Sequence, residues 1–436
     1  MKTLKTYLIP LLVLMLSSSH AFAGDDTLDT GDTAWMLTAT VLVLMMCLPG
    51  LALFYGGLVR AKSTLSIFVQ CFAMAGIMSI LWVAFGYAVA AGEGGNAHFG
   101  WDKSFAFLKH IKEGTLSGTI PESVWVTFQM TFIIISPAII VGAFAERMKF
   151  SAMLVFTVLW TILSYLPMWH MAWSSNGLFH NAGWLMSEGQ AAIDFAGGNV
   201  VHINAGIAGL VACIFVGKRK GYPGPALVPH NVPFVLVGAA LLWVGWFGFN
   251  AGSAAGASAG AGMAMLTTQV ATAAAVVVWM VLEWIISKKP TAVGVATGAV
   301  AGLVAITPAA GSTDVAGALA IGAIASLLCY LAVTKLKHTL NYDDSLDVFG
   351  VHGVGGIVGA LLTGVFIREG AGEGGMAQFI VQAKSVIVTI LWSGIASVIA
   401  IMIAKVICGG IRVEEEVEHG GLDRDEHGEE AYNWEA

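Results

Sequence analysis

The chain contains a series of long apolar stretches, and this pattern constrains its fold more than any other feature. A membrane-spanning helix needs roughly 20 consecutive, mostly apolar residues. Only 11% of the residues are charged, whereas soluble domains carry about 25%. The sequence therefore predicts an all-α polytopic membrane protein and excludes a soluble enzyme or a nucleic-acid-binding protein. We count eleven such stretches, at about 33–58, 64–91, 124–145, 151–172, 196–216, 232–252, 262–286, 292–308, 314–334, 348–367 and 383–408.

The first 23 residues have the features of a secretory signal peptide. Lys2 and Lys5 precede an apolar core at Leu8–Leu16, and residues 21–23 form an A-x-A cleavage site. A first membrane helix is the alternative, but the apolar run is short and three serines follow it. We therefore predict a cleaved signal peptide at 1–23, which places the mature N-terminus outside the cytoplasm.

Positive charges between the apolar stretches predict the orientation of the chain. Cytoplasmic loops of membrane proteins carry an excess of Lys and Arg. With eleven stretches, the observed charges place the N-terminus outside and the C-terminus in the cytoplasm, in agreement with the signal peptide. We expect the protein in the cell inner (plasma) membrane. Alternate loops hold the positive groups Arg60/Lys62, Arg147/Lys149, Lys218/Arg219/Lys220, Lys288/Lys289 and Lys335/Lys337.

Two distant segments of the chain resemble each other. Asp194 lies eight residues before His202, and Asp344 lies eight residues before His352. Because five stretches make up each copy, the second copy must cross the membrane upside down. Inverted repeats are typical of transporters, and they place the pathway at the repeat interface near the bilayer midplane. The predicted domains are a transport domain at 24–408, with repeat one at about 33–216, repeat two at about 232–367 and an additional helix eleven at about 383–408.

Two histidines inside the apolar stretches are the strongest candidates for function. An ionisable group within a span is costly and normally faces a cavity or the bundle interior. His202 and His352 occupy equivalent positions in Gly-rich segments, which favours a pore lining. Hydrogen-bonded helix packing is one alternative. A metal site is another, but neither helix has a carboxylate or cysteine at ligand spacing, so we predict no metal and no cofactor.

An aspartate and several aromatic residues form a second group of candidates. Asp194 begins the fifth stretch, where it would cap the helix or attract a cation near a pore mouth. Eight helical residues place it about 12 Å from His202. Phe128 and Phe132 are four residues apart and share one helix face. Such rings pack against lipid or bind cations, and spacing alone leaves both readings open.

Five longer motifs are spread across the chain, at 54–57, 145–151, 194–204, 245–252 and 347–353. Their sequences are F-Y-G-G, A-E-R-M-K-F-S, D-F-A-G-G-N-V-V-H-I-N, G-W-F-G-F-N-A-G and D-V-F-G-V-H-G. They closely resemble motifs of the ammonium transporter (Amt/Mep/Rh) family, bacterial Amt type, and the resemblance runs from about residue 33 to the C-terminus. It implies eleven helices in a five-plus-five inverted repeat, an outward N-terminus, and a homotrimer with one pore per subunit.

The resemblance also implies a role for each candidate residue. The cation NH4+ would be recruited at an outer aromatic site and deprotonated, and NH3, with or without separate proton transfer, would pass through a hydrophobic pore. The implied residues are Phe128, Trp173 and Ser253 for recruitment, Phe132 and Phe249 for a stacked gate, His202 and His352 for the pore, and Asp194 for structure or deprotonation.

The predicted function is therefore ammonium transport into the cytoplasm. NH4+ is costly to move through an apolar bore, whereas NH3 is not. An ammonium sensor that signals through the tail and a channel for another small neutral solute are alternatives. A membrane enzyme that uses the histidine pair would need a nearby nucleophile or metal, and none is apparent, so we predict that the protein is not an enzyme.

Residues 409–436 form an acidic tail, with ten carboxylates against Arg412 and Arg424. Within it, G-L-D at 421–423 and H-G-E-E-A-Y at 427–432 resemble the cytoplasmic regulatory tail of the family. The resemblance implies regulation through the tail and a PII-type signal protein as the partner. A solvated acidic tail without a specific role is the alternative.

Overall fold

The computed structural model describes residues 27–180, 190–224, 227–372 and 374–432, so the predicted signal peptide lies outside the described residues. The described part is mostly helical. Nine of its helices are long and apolar enough to cross a membrane, and the two at Ala292–Ile306 and Phe349–Val365 are apolar but shorter. In chain order the helices are α1 (Thr30–Leu58), α2 (Ala61–Ala91), α3 (Glu122–Phe144), α4 (Phe150–Trp173), α5 (Gly198–Val216), α6 (Val232–Gly252), α7 (Ala259–Ser287), α8 (Ala292–Ile306), α9 (Val315–Leu340), α10 (Phe349–Val365) and α11 (Gly375–Ile407).

Each predicted apolar stretch overlaps one of these helices, and the largest difference lies at the start of α11. The helix begins at Gly375, eight residues before the predicted boundary. Its first turns include Gln378 and Gln382, which lower the local hydropathy. The hydropathy pattern therefore did not predict this part of the helix. Both glutamines are buried. The Gln382 amide bonds both backbone groups of Ile193, at 2.7 and 2.8 Å.

Both candidate histidines lie in π-helical turns. These turns cover Gly198–Ile203 in α5 and Phe349–Gly353 in α10, and such turns occur frequently at functional sites. The two turns are in contact. Next to them, Gly206 packs so closely that a Cβ atom on it would lie 2.3 Å from the backbone nitrogen of Gly353. Only glycine allows this crossing, which brings α5 and α10 together beside the histidines.

The connection between α2 and α3 forms two short antiparallel hairpins. Strands β1 (Gly94–Gly95) and β2 (Gly100–Trp101) form the first. Strands β3 (Leu116–Ser117) and β4 (Ile120–Pro121) form the second and lead directly into α3. We call this end of the bundle the aromatic end, because α3 begins there and carries Phe128 close to its start. The opposite end is the tail end.

Two short helices of the acidic tail pack against the tail end. They are α12 (Glu415–Gly420) and α13 (Leu422–His427). The Asp423 carboxylate accepts hydrogen bonds from the backbone N–H groups of Leu65 and Ser66, at 3.0 and 2.8 Å. It therefore caps the first turn of α2, where such N–H groups have no partner within the helix. Within the described part of the tail, Glu418, Leu422 and Asp423 are buried against the tail end.

A network of buried ion pairs joins the loops at the tail end. The Arg219 guanidinium contacts Asp343 at 2.8 Å and Glu146 at 3.1 Å, and Glu146 also contacts Arg60 at 2.6 Å. Burial disfavours the charged form of Asp343, but the hydrogen bonds and positive charge of Arg219 hold the pKa of that carboxyl below its usual range. The network ties together the loops that follow α1, α3, α5 and α9.

Close packing of α6 on α1 gives a test of the fold. A Cβ atom on Gly238 would lie 2.2 Å from the backbone nitrogen of Phe54. We expect Gly238→Ala to lower the thermal unfolding midpoint in detergent, because the backbone cannot move aside and overpacking costs about 1–3 kcal/mol. Gly76→Ala is the control, since no described atom lies within 4 Å of its Cβ position. Equal midpoints for the two variants would contradict this packing.

Candidate functional site

Four aromatic side chains form a continuous cluster near the aromatic end. Phe128 and Phe132 lie on one face of α3, with ring centroids 5.1 Å apart. The Phe132 ring stacks on Phe249 of α6 at 4.3 Å and meets Trp173 of α4 edge-on at 5.9 Å. The three phenylalanines are fully buried. The aromatic residues predicted for recruitment and for the gate therefore lie side by side, and the predicted gate pair is stacked.

Ser253 lies beside this cluster, directly after α6. Its hydroxyl donates to the backbone oxygen of Phe249 at 2.8 Å, so its lone pairs remain available as acceptors. The preceding residue, Gly252, packs against Phe128, and a Cβ atom there would lie 2.8 Å from the ring. Three helices, α3, α4 and α6, thus bring the residues predicted for recruitment to one end of the bundle.

Asp194 lies just before α5 and accepts hydrogen bonds from four backbone N–H groups. They belong to residues 197–200, and three of the bonds measure 2.9–3.1 Å. Burial raises the pKa of this carboxyl, and the four N–H bonds oppose that rise. The backbone oxygen of Asp194 accepts from Nε1 of Trp173 at 2.7 Å. The side chain therefore caps the helix that carries His202, and its backbone fixes a ring of the aromatic cluster.

The two histidines form a buried pair. Nδ1 of His202 lies 3.2 Å from Nδ1 of His352, within hydrogen-bond distance. Two bare nitrogens or two N–H groups cannot bond, so one ring carries a proton on Nδ1 and the other does not. Nε2 of His202 is buried without a hydrogen-bond partner among the described residues. Because an unpaired buried group costs about 1–3 kcal/mol, a polar guest that reaches this nitrogen gains by binding there.

The histidine pair lies between the aromatic cluster and a large cavity. The ring of His202 lies 5.9 Å from that of Phe249. The gap beside these rings is about 10 Å³, barely the space of one water molecule. Beyond His352, a cavity of about 540 Å³ opens toward the tail end and is lined in part by Arg219, Lys337 and Asp347. Among the described residues, the phenylalanines, the two imidazoles and this cavity therefore lie in succession.

Trp246 belongs to the site, although the sequence analysis did not single it out. Its ring stacks on His202 at 5.4 Å. Its Nε1 donates to Oγ1 of Thr307 at 2.9 Å, which fixes the plane of the ring. The residue lies inside the G-W-F-G-F-N-A-G motif at 245–252, so the motif contained the signal that could have found it. Across the described ranges, no three His, Cys, Asp or Glu residues cluster as metal ligands would.

A bundle of apolar helices around a buried path of aromatic rings and paired imidazoles defines a multi-pass membrane transport protein. Comparison with known proteins identifies its family. The sequence matches the Ammonium Transporter Family over residues 34–432. The chain belongs to the ammonium transporter family, which is a family of transporters and not of enzymes.

Individual relatives agree with this assignment. The chain is 46% identical to a protein named ammonium transporter from Aquifex aeolicus, over 97% of this chain and 98% of that protein. Its structure is similar to the crystal structure of Mep2 from Candida albicans, with a TM-score of 0.82 and 32% identity over 90% of this chain and 88% of that one. A structure described as a sensor Amt protein is also similar, with a TM-score of 0.83 and 31% identity, covering 91% and 98% of the two chains.

The cap at Asp194 can be tested by removing half of its acceptors. Asp194→Asn places an NH2 group where a carboxylate oxygen now accepts backbone N–H groups. At least one buried N–H then loses its partner, which costs about 1–3 kcal/mol, so we expect a lower thermal unfolding midpoint. Asp314→Asn is the matched control, because Asp314 caps a helix through Gly317 alone, and Asn caps as well as Asp. An equal effect of both variants would refute the special role of Asp194.

Proposed function

We propose that the protein takes up ammonium by recruiting NH4+ at the aromatic end, removing a proton, and conducting NH3 past the histidine pair. A proton follows separately or stays behind. The observation that carries this proposal is the order of groups along one path. Phe128 and Trp173 come first, the stacked gate pair second, the imidazoles third, and the 540 Å³ cavity last.

The aromatic end offers the groups that a small cation needs. The faces of Phe and Trp rings attract cations by about 0.5–2 kcal/mol. The free lone pairs of Ser253 accept N–H groups, which NH4+ has and an alkali cation lacks. Asp194 lies below these residues, with its charge held by backbone N–H groups. These groups favour binding of NH4+ at the aromatic end. The next groups along the path are wholly apolar and therefore disfavour passage of the cation.

The stacked pair supports the proposal that the proton is removed before this point. Phe132 and Phe249 stack at 4.3 Å and leave no opening for an ion with its water. Stripping water from a charged group without replacing its partners is very costly, whereas a neutral amine loses far less. The rings would therefore part for NH3, whereas a bare cation would find too few partners beyond them to replace its lost water. We expect deprotonation to occur above this pair.

The histidine pair would then receive the neutral molecule. The unpaired Nε2 of His202 offers a hydrogen-bond partner inside an otherwise apolar bore, and the complementary protons of the pair let the rings donate or accept along the path. Potassium, with a size similar to that of NH4+, has no proton to give. Selectivity in this scheme follows from proton loss and not from a size filter.

The recruitment role of the aromatic end can be measured on the purified protein in solid-supported membranes with pulses of NH4+ and methylammonium. Because ring attraction is worth about 0.5–2 kcal/mol, we expect Phe128→Ala to raise the half-saturating NH4+ concentration by about 2- to 30-fold. Phe72→Ala is the control, since that ring is 60% exposed on the outer face of α2. No NH4+-dependent current and no NH3 flux in vesicles for the unmodified protein would overturn the whole proposal.

The role of the histidines requires a separate test of selectivity. His202→Asp combined with His352→Glu replaces the neutral pair by anionic groups that stabilise a cation in the bore. We expect K+ pulses to give currents in this double variant and not in the unmodified protein. An unchanged NH4+ current with unchanged discrimination against K+ would show that the pair does not perform this function.

We propose further that the chain crosses the membrane eleven times, with the N-terminus outside and the C-terminus in the cytoplasm. The nine long and two shorter apolar helices support this count. The matched π-turns at His202 and His352 support the five-plus-five inverted repeat. The predicted signal peptide at 1–23, the transport domain at 24–408, the tail at 409–436 and the inner-membrane location complete this proposed organisation.

We also propose a homotrimer that a PII-type signal protein regulates at the tail end. Large apolar side chains on the outer faces of the helices, such as Trp284 at 59% exposed and Ile80 at 72% exposed, would meet lipid or neighbouring copies. The packed tail and the 540 Å³ cavity lie at the same end, so a partner that binds the tail would sit at the mouth of the path. The alternatives of a sensor or a channel for another neutral solute require the same site.

A further inference from the structure

The end of α6 and the connection between α6 and α7, residues 253–258, are held by the first two turns of α1. Nε1 of Trp35 donates to the backbone oxygen of Ala251 at 3.2 Å. Oδ1 of Asp32 accepts from the backbone nitrogen of Ala257 at 2.7 Å. These two bonds fix the chain on either side of Ser253, two residues before it and four residues after it.

The Asp32 carboxylate is itself fixed from the opposite side. Its Oδ2 accepts from Oγ1 of Thr119, in the turn between β3 and β4, at 2.5 Å. The backbone oxygen of Thr119 accepts from the backbone nitrogen of Asp29 at 2.9 Å. Asp32 therefore bridges two segments, the hairpin that leads into α3 and the connection that begins at Ser253. The first segment leads to Phe128 and the second contains Ser253.

The connection has turn hydrogen bonds of its own, such as the bond from the backbone nitrogen of Ala255 to the backbone oxygen of Gly252 at 2.9 Å, but it also contains a strained residue. Ala255 has φ of +59°, a left-handed conformation that is unfavourable for a non-glycine residue. Gly256 is buried against the carboxylate, and a Cβ atom on it would lie 2.8 Å from Oδ1 of Asp32. The strained residue and the close approach both indicate that an external contact determines the path of the connection.

We propose that Asp32 is a positioning residue for ammonium recruitment, which sets the place of Ser253 relative to Phe128 and Trp173. This inference rests on the proposed function of the aromatic end. Asp32 acts through its hydrogen bonds to Ala257 and Thr119, and not by touching the cation. Without the bond to Ala257, the connection relaxes and Ala255 leaves its strained conformation. The Ser253 hydroxyl then leaves the position from which it accepts an N–H group of NH4+.

A different account would give Asp32 a purely electrostatic role. Its charge lies in the first turn of α1, where a carboxylate interacts favourably with the helix dipole, and any anion at this end attracts a cation at long range. Asp29 provides the comparison, because it lies three residues away and caps the same helix through the Asp32 backbone nitrogen at 2.8 Å. Asp29 has no bond to the connection among the described contacts.

The experiment measures NH4+-dependent currents of the full-length protein at varied NH4+ concentrations. For Asp32→Ala we expect the half-saturating concentration to rise by about 2- to 10-fold, since one hydrogen bond contributes about 0.5–1.5 kcal/mol, with the maximal current unchanged. Asp32→Asn keeps an oxygen acceptor for Ala257 and removes the charge, so it should stay close to the unmodified protein. Asp29→Asn removes an equal charge and keeps the cap, and it should also have no effect.

A second variant disturbs the hydrogen bond between Asp32 and Ala257 by a change in the connection itself. Gly256→Ala inserts a methyl group against the carboxylate and should reproduce the rise in half-saturation while leaving Asp32 in place. Hydrogen exchange gives a readout that does not depend on transport: the backbone amides of residues 252–258 should exchange faster in Asp32→Ala and in Gly256→Ala, but not in Asp29→Asn.

The outcomes separate this inference from the proposed function. If Phe128→Ala raises half-saturation and Asp32→Ala does not, recruitment stands and the positioning role is wrong. If Asp32→Asn and Asp29→Asn are as harmful as Asp32→Ala, charge and not the hydrogen bond is responsible, and the inference is overturned. If Phe128→Ala and Ser253→Ala both leave half-saturation unchanged, the recruitment site itself is misplaced.

Discussion

A backbone N–H or C=O group buried in hydrocarbon without a partner costs several kcal/mol, and every part of the path reflects that constraint. Where α5 begins inside the bundle, its first N–H groups point at one carboxylate, Asp194, which accepts four of them. At the opposite end, Asp423 accepts hydrogen bonds from backbone N–H groups near the start of α2, although it lies more than 350 residues away in the chain. The start of a helix thus determines the position of two of the buried carboxylates in this protein, Asp194 and Asp423.

The same constraint accounts for the unusual backbone at the histidines. A π-turn keeps its backbone groups bonded while it widens the helix by one residue, so the chain can change direction without leaving a polar group unpaired. Such a turn occurs before Gly206 in α5 and again at Gly353 in α10. The absence of side chains at these two glycines then allows the helices to cross in contact, and the imidazoles of His202 and His352 reach hydrogen-bond distance.

The sequence predicts the helices well because lipid imposes a length and a composition on each of them. It also indicates the histidine pair, through the matched Asp-to-His spacing in two segments. The start of α11 was missed because Gln378 and Gln382 are polar. Their side chains form hydrogen bonds with each other and with a loop, and hydropathy cannot show such bonds. The π-turns were missed because a change of hydrogen-bond register leaves no periodic signal. Asp32 escaped notice because its partner lies 225 residues away, and only the fold brings the two together.

The shared hydrogen bond between the imidazoles also bears on how charge is excluded. One ring donates from Nδ1 and the other accepts, so the pair is satisfied when it holds one proton between the facing nitrogens. A second proton at this interface would set two N–H groups against each other at 3.2 Å and break the bond. A charged pair keeps the bond only if the extra proton lies on an Nε2 atom, and Nε2 of His202 is buried without a hydrogen-bond partner among the described residues, in a bore too narrow for water to compensate. In the proposed mechanism this geometry favours a neutral pair and a neutral guest, and the stacked phenylalanines need only delay the cation until its proton has left.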